Sequence, residues 1–140
     1  MNAHVTRLTL AVAGVLALGI GAAITFAPDA FYVSYGIVLP AGADFYSEVR
    51  APGANLALLG ALIFLGALKA DWTRFSATLG TAVFLAYAAG RIVSIVLDGI
   101  PSDAILLALV IELVVGVLCA LSLKRARRPS ILEENSRPAV

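Results

Sequence analysis

The chain has 140 residues, of which 61% are hydrophobic and 14% are charged, and its formal net charge is only +1. Its mean hydropathy of +0.97 is far above that of a soluble globular domain, which excludes a water-soluble fold. The composition therefore predicts a membrane protein, with membrane lipid as a partner and no nucleic-acid partner.

Four apolar segments carry this excess of hydrophobic residues. They cover roughly Leu8–Ala27, Ala51–Leu68, Phe75–Leu97 and Ala104–Leu123. Each is close to the ~20 residues that a helix needs to cross a hydrocarbon core of about 30 Å. We therefore expect an all-α, polytopic fold in which residues 1–123 form a four-helix transmembrane domain. The first segment could instead be a secretory signal, but the residues before Pro28 make a poor cleavage site, so an uncleaved helix is expected.

The first helix is expected to end at about Pro28, because proline disfavours helix in the residue before it. The connector that follows is rich in aromatic residues, namely Phe31, Tyr32, Tyr35, Phe45 and Tyr46. Aromatic side chains concentrate at the boundary between lipid and water, so we expect a short interfacial helix in this connector. The aromatic residues could serve as anchors only, or they could form a lid over a site between the helices.

The remaining connections are short, with "KADWTR" before the third helix and "DGIPSD" before the fourth. Short connections make neighbouring helices antiparallel, so we expect an antiparallel four-helix bundle. The second helix is expected to begin near Ser47, which leaves Pro52 in its first turn, where proline costs no intrahelical hydrogen bond. Small residues on the third helix could pack the bundle or serve a homodimer: Ala82, Ala86, Gly90 and Ser94.

The positions of the charges predict an orientation. Basic residues flank alternate ends of the spans, namely Arg7, Lys69, Arg74, Lys124, Arg125, Arg127 and Arg128, while the other two connections are mainly acidic. By the positive-inside rule, both termini and the middle connection should face the cytoplasm. Residues 124–140 are expected to form a cytoplasmic tail that is basic at first and then polar.

Polar residues inside the spans need a separate explanation. At 1.5 Å per residue, Asn55, Arg91 and Glu112 all lie ~10–12 Å from the outer ends of their helices, which places them in one layer. Positions seven apart share a helix face, so Glu48 should stand above Asn55 and Asp98 above Arg91. The candidate ligand-binding residues are therefore Arg91, Glu112, Asn55, Glu48, Arg50, Ser94, Asp98 and Tyr87.

Arg91 and Glu112 are expected to form an ion pair. Either charge alone at mid-depth would cost about 2.5–3.5 kcal/mol on insertion scales, and a guanidinium can hold a carboxylate through two hydrogen bonds. Arg50 is expected to meet Asp98 or Asp103 in the same way. The buried salt bridge between Arg91 and Glu112 could fix the helix register only, bind the polar head of a ligand, or relay protons through Glu112.

Several chemistries lack the residues they require. The single histidine, His4, lies outside the spans, so we expect no haem, no other cofactor and no metal site. Ser47 and Ser94 have no neighbouring base, so we expect no catalytic residues and no enzyme activity. The single cysteine, Cys119, is expected to be a small buried apolar residue.

Three stretches together resemble a known bacterial family. They are "SEVRAPGANLALLGALIFL" (47–65), "GRIVSIVLDGIPSD" (90–103) and "LALVIELVVGVL" (107–118), and the resemblance covers roughly residues 8–123. The family is the one catalogued as domain of unknown function 4345. Positions that match its pattern are Glu48, Arg50, Gly90, Arg91, Ser94, Asp98, Gly99, Pro101 and Glu112, whereas Pro52 stands where the pattern has a larger residue. The resemblance implies a small four-helix protein of the bacterial inner membrane and brings no activity with it.

Three functions are compatible with these observations. The first is a binding or accessory protein, in which a cleft among the second, third and fourth helices opens to the outer side and holds the head of a lipid-like or small amphipathic ligand. The second is a proton-coupled or ion-coupled carrier that uses Glu112 as its titrating group. The third is a structural subunit of a larger membrane complex.

Overall fold

The computed structural model describes residues 2–126, and the side chains of residues 2–123. This part of the chain consists of helices and their connections and contains no strand. The α-helices are α1 (Ala3–Phe26), α2 (Pro28–Val33), α3 (Ala43–Leu68), α4 (Thr73–Asp98) and α5 (Asp103–Ala126), with a 3₁₀ turn at Ala70–Trp72. The tail predicted for residues 124–140 lies outside the described residues from residue 127 onward.

Four of the helices are long and apolar enough to cross a membrane, namely α1, α3, α4 together with the preceding 3₁₀ turn, and α5. This confirms the all-α fold with four candidate transmembrane helices. The boundary between α1 and α2 also follows the prediction. Ala27 leaves the helical conformation, and Pro28 begins α2 at a position where its missing N–H has no intrahelical partner to lose.

The start of α3 differs from the prediction. The helix begins at Ala43 rather than near Ser47, directly after Gly42, whose φ of 144° is a conformation that favours glycine. Pro52 therefore lies inside the helix instead of in its first turn, and the carbonyl of Glu48 receives no hydrogen bond from it. Both residues are exposed, so this gap in the helix ladder lies outside the packed core.

The tightest packing joins α1 to α3 through glycines. A β-carbon on Gly60 of α3 would lie 2.8 Å from the backbone of Ala17 and Leu18, and one on Gly14 of α1 would lie 2.6 Å from the backbone nitrogen of Phe64. No side chain fits at such distances, so glycine lets the two backbones approach each other directly. The contact between α1 and α3 is the most extensive of the molecule.

The small-residue stripe of the third span was expected to pack the bundle or to serve a homodimer, and it does not pack inside the bundle. Ala82, Ala86, Gly90 and Ser94 are all exposed in α4, and a β-carbon on Gly90 would meet nothing within 4 Å. A spacing of four residues places small side chains on one side of a helix. It does not predict whether that side packs against a neighbouring helix. The opposite side of α4 is the one that packs, and there Gly80 contacts Cys119, which is fully buried as predicted.

The bundle is unevenly assembled. Helix α5 packs mainly on α4 and touches α1 only lightly, and no α-carbon of α5 comes within 8 Å of one in α3. The hydrophobic core that these contacts enclose consists of Leu10, Ala13, Ala17, Leu56, Ile63, Ala77, Val83, Phe84, Val115 and Cys119. Beside this core, a space remains between α1 and the α4–α5 pair, which α1 touches only lightly.

Candidate ligand-binding cavity

A cavity of about 750 Å³ fills the space between α1, α4, α5 and the aromatic connector. Its walls are predominantly apolar. The lining residues are Leu16, Ala17, Ile20 and Ile24 of α1, Phe31, Tyr32, Tyr35 and Ile37 of the connector, Leu56 of α3, Val83, Phe84, Ala86, Tyr87, Gly90, Arg91 and Ser94 of α4, and Pro101, Ala104, Ile105, Leu107, Ala108, Ile111 and Glu112 at and within α5.

Arg91 and Glu112 form an ion pair in the wall of this cavity. The Nε of Arg91 donates to both carboxylate oxygens of Glu112, at 2.9 Å to Oε1 and 2.8 Å to Oε2. The two side chains are 30% and 12% exposed, respectively, so the pair is not the buried salt bridge that was predicted. It is partly open because the cavity lies beside it.

The local sequence explains why these two residues meet. Gly99 ends α4 with a φ of 98°, which favours glycine, and its N–H donates to the carbonyl of Ile95. The chain then turns and begins α5 at Asp103, an acidic residue at the helix end where negative charge is favourable. Arg91 lies seven residues before the end of α4 at Asp98, and Glu112 lies nine residues after the start of α5 at Asp103. The two residues are therefore at similar heights on two packed helices.

Two further predicted residues lie with the ion pair. Tyr87 and Ser94 are one turn either side of Arg91 on α4 and line the cavity. The hydroxyl of Ser94 donates to Oδ2 of Asp98 at 2.9 Å, although Asp98 itself does not line the cavity. The cavity wall therefore carries a short polar strip on α4 in otherwise apolar surroundings.

Asn55 and Glu48 do not join this group. Both are exposed on α3, line no part of the cavity and make no side-chain hydrogen bond to the described residues. Equal depth was the reason for placing Asn55 with Arg91 and Glu112, but depth alone does not put side chains on facing surfaces. Helix α3 packs chiefly on α1, so only its Leu56 reaches the cavity.

Arg50 has partners other than those predicted. Its Nη1 donates to the backbone carbonyl of Thr25 at 2.7 Å rather than to Asp98 or Asp103. The last carbonyls of α1 lack intrahelical partners and attract positive charge, which accounts for this contact. The guanidinium also lies 5.6 Å from the ring centre of Tyr46, whose hydroxyl donates to Oδ1 of Asp29 at 2.7 Å.

The sequence analysis missed the wall that α1 contributes. Leu16, Ile20 and Ile24 look like any lipid-facing residues in the sequence, and no pattern separates them from the rest of the helix. The connector did carry a signal, because its aromatic residues suggested a lid as one alternative. Phe31, Tyr32 and Tyr35 do line the cavity.

The chemical resources of the site are a charge-balanced ion pair and several hydroxyls. Neither terminal nitrogen of the Arg91 guanidinium has a hydrogen-bond partner among residues 2–123, so four N–H donors remain free for an acceptor. The described residues contain no group of three or more His, Cys, Asp or Glu side chains that could hold a metal ion.

These features define a helical protein with four candidate membrane spans and an apolar cavity that carries one ion pair. The model of the family described as domain of unknown function (DUF4345) matches residues 5–123, so the chain belongs to that family. No curated protein and no solved structure matches the chain.

Proposed function

We propose that this protein is a membrane-embedded binding protein whose cavity holds an amphipathic molecule, with the polar head of that molecule against Arg91. The observation that carries the proposal is an apolar cavity of about 750 Å³ whose wall offers unpartnered guanidinium N–H groups. Sites for small molecules typically have volumes of about 300–1,000 Å³, apolar walls and a few polar groups that fix orientation.

The geometry of the ion pair favours a head group rich in hydrogen-bond acceptors. Glu112 uses both carboxylate oxygens on Nε of Arg91, which holds the guanidinium in place and leaves its terminal nitrogens as donors. The hydroxyl of Tyr87 lies on the same wall, whereas that of Ser94 already donates to Asp98. A carbonyl, carboxylate or phosphate oxygen fits the free N–H groups of Arg91, and an acyl or isoprenoid-like tail fits the apolar walls. The proposed role of Glu112 is to orient Arg91.

The same arrangement argues against the other two functions. A proton carrier needs a carboxyl that exchanges its proton, whereas both oxygens of Glu112 accept from a permanently charged arginine. A purely structural subunit does not need an open cavity beside the pair. The proposed role is therefore binding, without catalysis, and a homodimer or larger membrane complex could carry the same cavity.

We further propose an antiparallel bundle in the bacterial inner membrane with both termini in the cytoplasm. Basic residues at the start of α1 and around the 3₁₀ turn support this orientation. The cavity would then open toward the outer side, with the aromatic connector at the lipid–water boundary above it. In this orientation a ligand would enter from the outer leaflet beside α1, whose contacts with α4 and α5 are both light.

Two glycines allow a test that leaves the ion pair unchanged. Gly90 lines the cavity, Gly19 does not, and a β-carbon on either would meet nothing within 4 Å. Gly90→Leu should fill part of the cavity and reduce copurifying amphipathic molecules about tenfold or more, because the added side chain occupies the ligand's volume. Gly19→Leu should leave the bound amount unchanged. The measurement is mass spectrometry of small molecules released from gently solubilised protein.

A second variant tests the polar end of the site. Arg91→Gln combined with Glu112→Gln removes both charges without leaving either one unpaired. The bound molecule should be lost while the helical content, measured by circular dichroism, is retained. Glu48→Gln, at an exposed position outside the cavity, is the control. Equal amounts of the same molecule in all variants would contradict the proposal.

A further inference from the structure

A second cavity lies at the other end of the bundle, where α1 and α4 begin and α5 ends. We call it the polar notch; it has a volume of about 360 Å³. Its polar lining residues are Thr6, Arg7, Asp71, Thr73, Arg74 and Ser122. It shares no lining residue with the larger cavity and differs from it in chemistry, because six of its eight lining residues are polar or charged.

Thr6 is the residue whose surroundings need explaining. Its side chain is buried, with only 5% of the residue exposed, and its Oγ1 has no hydrogen-bond partner among the residues whose side chains the structure describes. A buried hydroxyl without a partner costs about 1–3 kcal/mol. The other two hydroxyls of the notch are engaged, since Thr73 donates to the carbonyl of Gly66 and Ser122 to that of Leu118. Among the three hydroxyls of the notch, that of Thr6 is therefore the one without a partner among residues 2–123.

The charges of the notch favour an anion. Arg7 and Arg74 supply two guanidinium groups against the single carboxylate of Asp71, so the net charge of its lining is positive. Neither arginine forms an ion pair or a side-chain hydrogen bond with the described residues. Each guanidinium is planar and can donate two parallel hydrogen bonds to two oxygens of one phosphate. A role in setting the membrane orientation requires only positive charge, which lysine would supply equally well.

We propose that the polar notch binds a phosphate group through Arg7, Arg74 and the hydroxyl of Thr6. The phosphate could belong to the head of an anionic phospholipid or to a soluble phosphate compound, and both sources present the same oxygens. Asp71 lies in the same wall, and its negative charge would weaken the binding of the phosphate. The inference does not depend on the ligand of the larger cavity.

Trp72 provides a local probe for the lipid source. It is the only tryptophan of the chain, adjoins Asp71 and is 38% exposed. In phosphatidylcholine nanodiscs, quenching of Trp72 by added brominated phosphatidylglycerol, compared with brominated phosphatidylcholine, measures the preference of this region for an anionic lipid. For the soluble source, the protein in detergent is titrated with inorganic phosphate and followed by Trp72 fluorescence and ³¹P line width.

Arginine-to-lysine variants separate recognition from general attraction. Arg7→Lys with Arg74→Lys keeps every charge, and therefore the orientation of the chain, but removes the bidentate donors; we expect the affinity to fall about fivefold. Lys69→Arg is the matched control, because Lys69 is exposed at the same end of the bundle but does not line the notch. It should change the affinity less than twofold.

Two single substitutions give effects of opposite sign. Thr6→Val, which preserves shape, should weaken binding about threefold through loss of one hydrogen bond. Asp71→Asn should strengthen it about threefold through loss of the opposing charge. Dependence on these residues in the nanodisc arm alone identifies a lipid phosphate, and dependence in the inorganic-phosphate arm identifies a soluble one. The proposal is overturned if the double lysine variant matches the original chain in both arms, or if Thr6→Val and Asp71→Asn leave both unchanged.

Discussion

Two pairs of helices in this molecule differ in what their contacts contain. Helices α1 and α3 meet backbone to backbone, with Gly14 and Gly60 at positions where no side chain fits. Helices α4 and α5 also pack closely at one end, where a β-carbon on Gly116 would lie 2.6 Å from the side chain of Leu85. Toward their other end they carry the ion pair of Arg91 and Glu112, in the wall of a cavity of about 750 Å³. The same α4 leaves Gly90 facing open space.

This difference separates a scaffold from a site. Close packing has one best arrangement and resists change, whereas the polar part of the α4–α5 contact borders a space that is large enough for another molecule. In a membrane, where lipid competes equally for apolar side chains, backbone proximity is a main source of helix association. The glycine-packed pair α1–α3 therefore supports the bundle, whereas α4 and α5 together form one wall of the cavity, opposite α1.

The largest effect should come from adding a single methyl group to each pair. Gly60→Ala should destabilise the fold by about 1–3 kcal/mol, because the new β-carbon overlaps the backbone of α1. Gly90→Ala should stabilise it by about 0.5–1 kcal/mol, since alanine is the better helix former and nothing lies in its way. Unfolding in mixed micelles, followed by circular dichroism, measures both. Equal effects at the two sites would remove the distinction between the pairs.

A smaller effect is expected from the ion pair. Glu112→Gln should cost about 1–2 kcal/mol, because the guanidinium of Arg91 loses its counter-charge inside a span. Combining it with Arg91→Gln should recover at least half of this loss, which a double-mutant cycle on the unfolding free energies would reveal. Additive losses would mean that the two charges act independently despite their 2.8 Å contact.

The smallest effect should appear where the connector is attached to α3. Tyr46→Phe removes the hydrogen bond to Asp29 and should speed hydrogen exchange in α2 about threefold, because this bond ties the start of α2 to α3. Tyr35→Phe is the control, since the Tyr35 hydroxyl has no hydrogen-bond partner among residues 2–123. The unfolding midpoint should stay unchanged in both. Unchanged exchange in the Tyr46 variant would show that the connector is held by its apolar contacts instead.

The sequence identified the helices and one pair of site residues for simple physical reasons. The length and hydropathy of a segment indicate that it can span a membrane. A charged residue inside such a segment requires a partner of opposite charge, and this requirement identified Arg91 and Glu112 as a pair. The same reasoning placed Asn55 in the site wrongly. Its depth along the helix matches that of Arg91 and Glu112, but it lies on a face of α3 that does not point toward them. Nor could this reasoning assign Arg50, since the acceptor it uses is a backbone carbonyl of Thr25, which no side-chain pattern displays.

What the sequence determined by itself is thus the number of candidate spans, the position of the connector and the pairing of opposite charges, since each follows from the transfer of a group from water into lipid. Only the tertiary structure decided which faces meet. In a bundle made almost wholly of apolar residues, the side of a helix that packs and the side that meets lipid look alike along the chain. That α1 supplies a cavity wall and α3 only Leu56 is therefore visible in the packed structure alone.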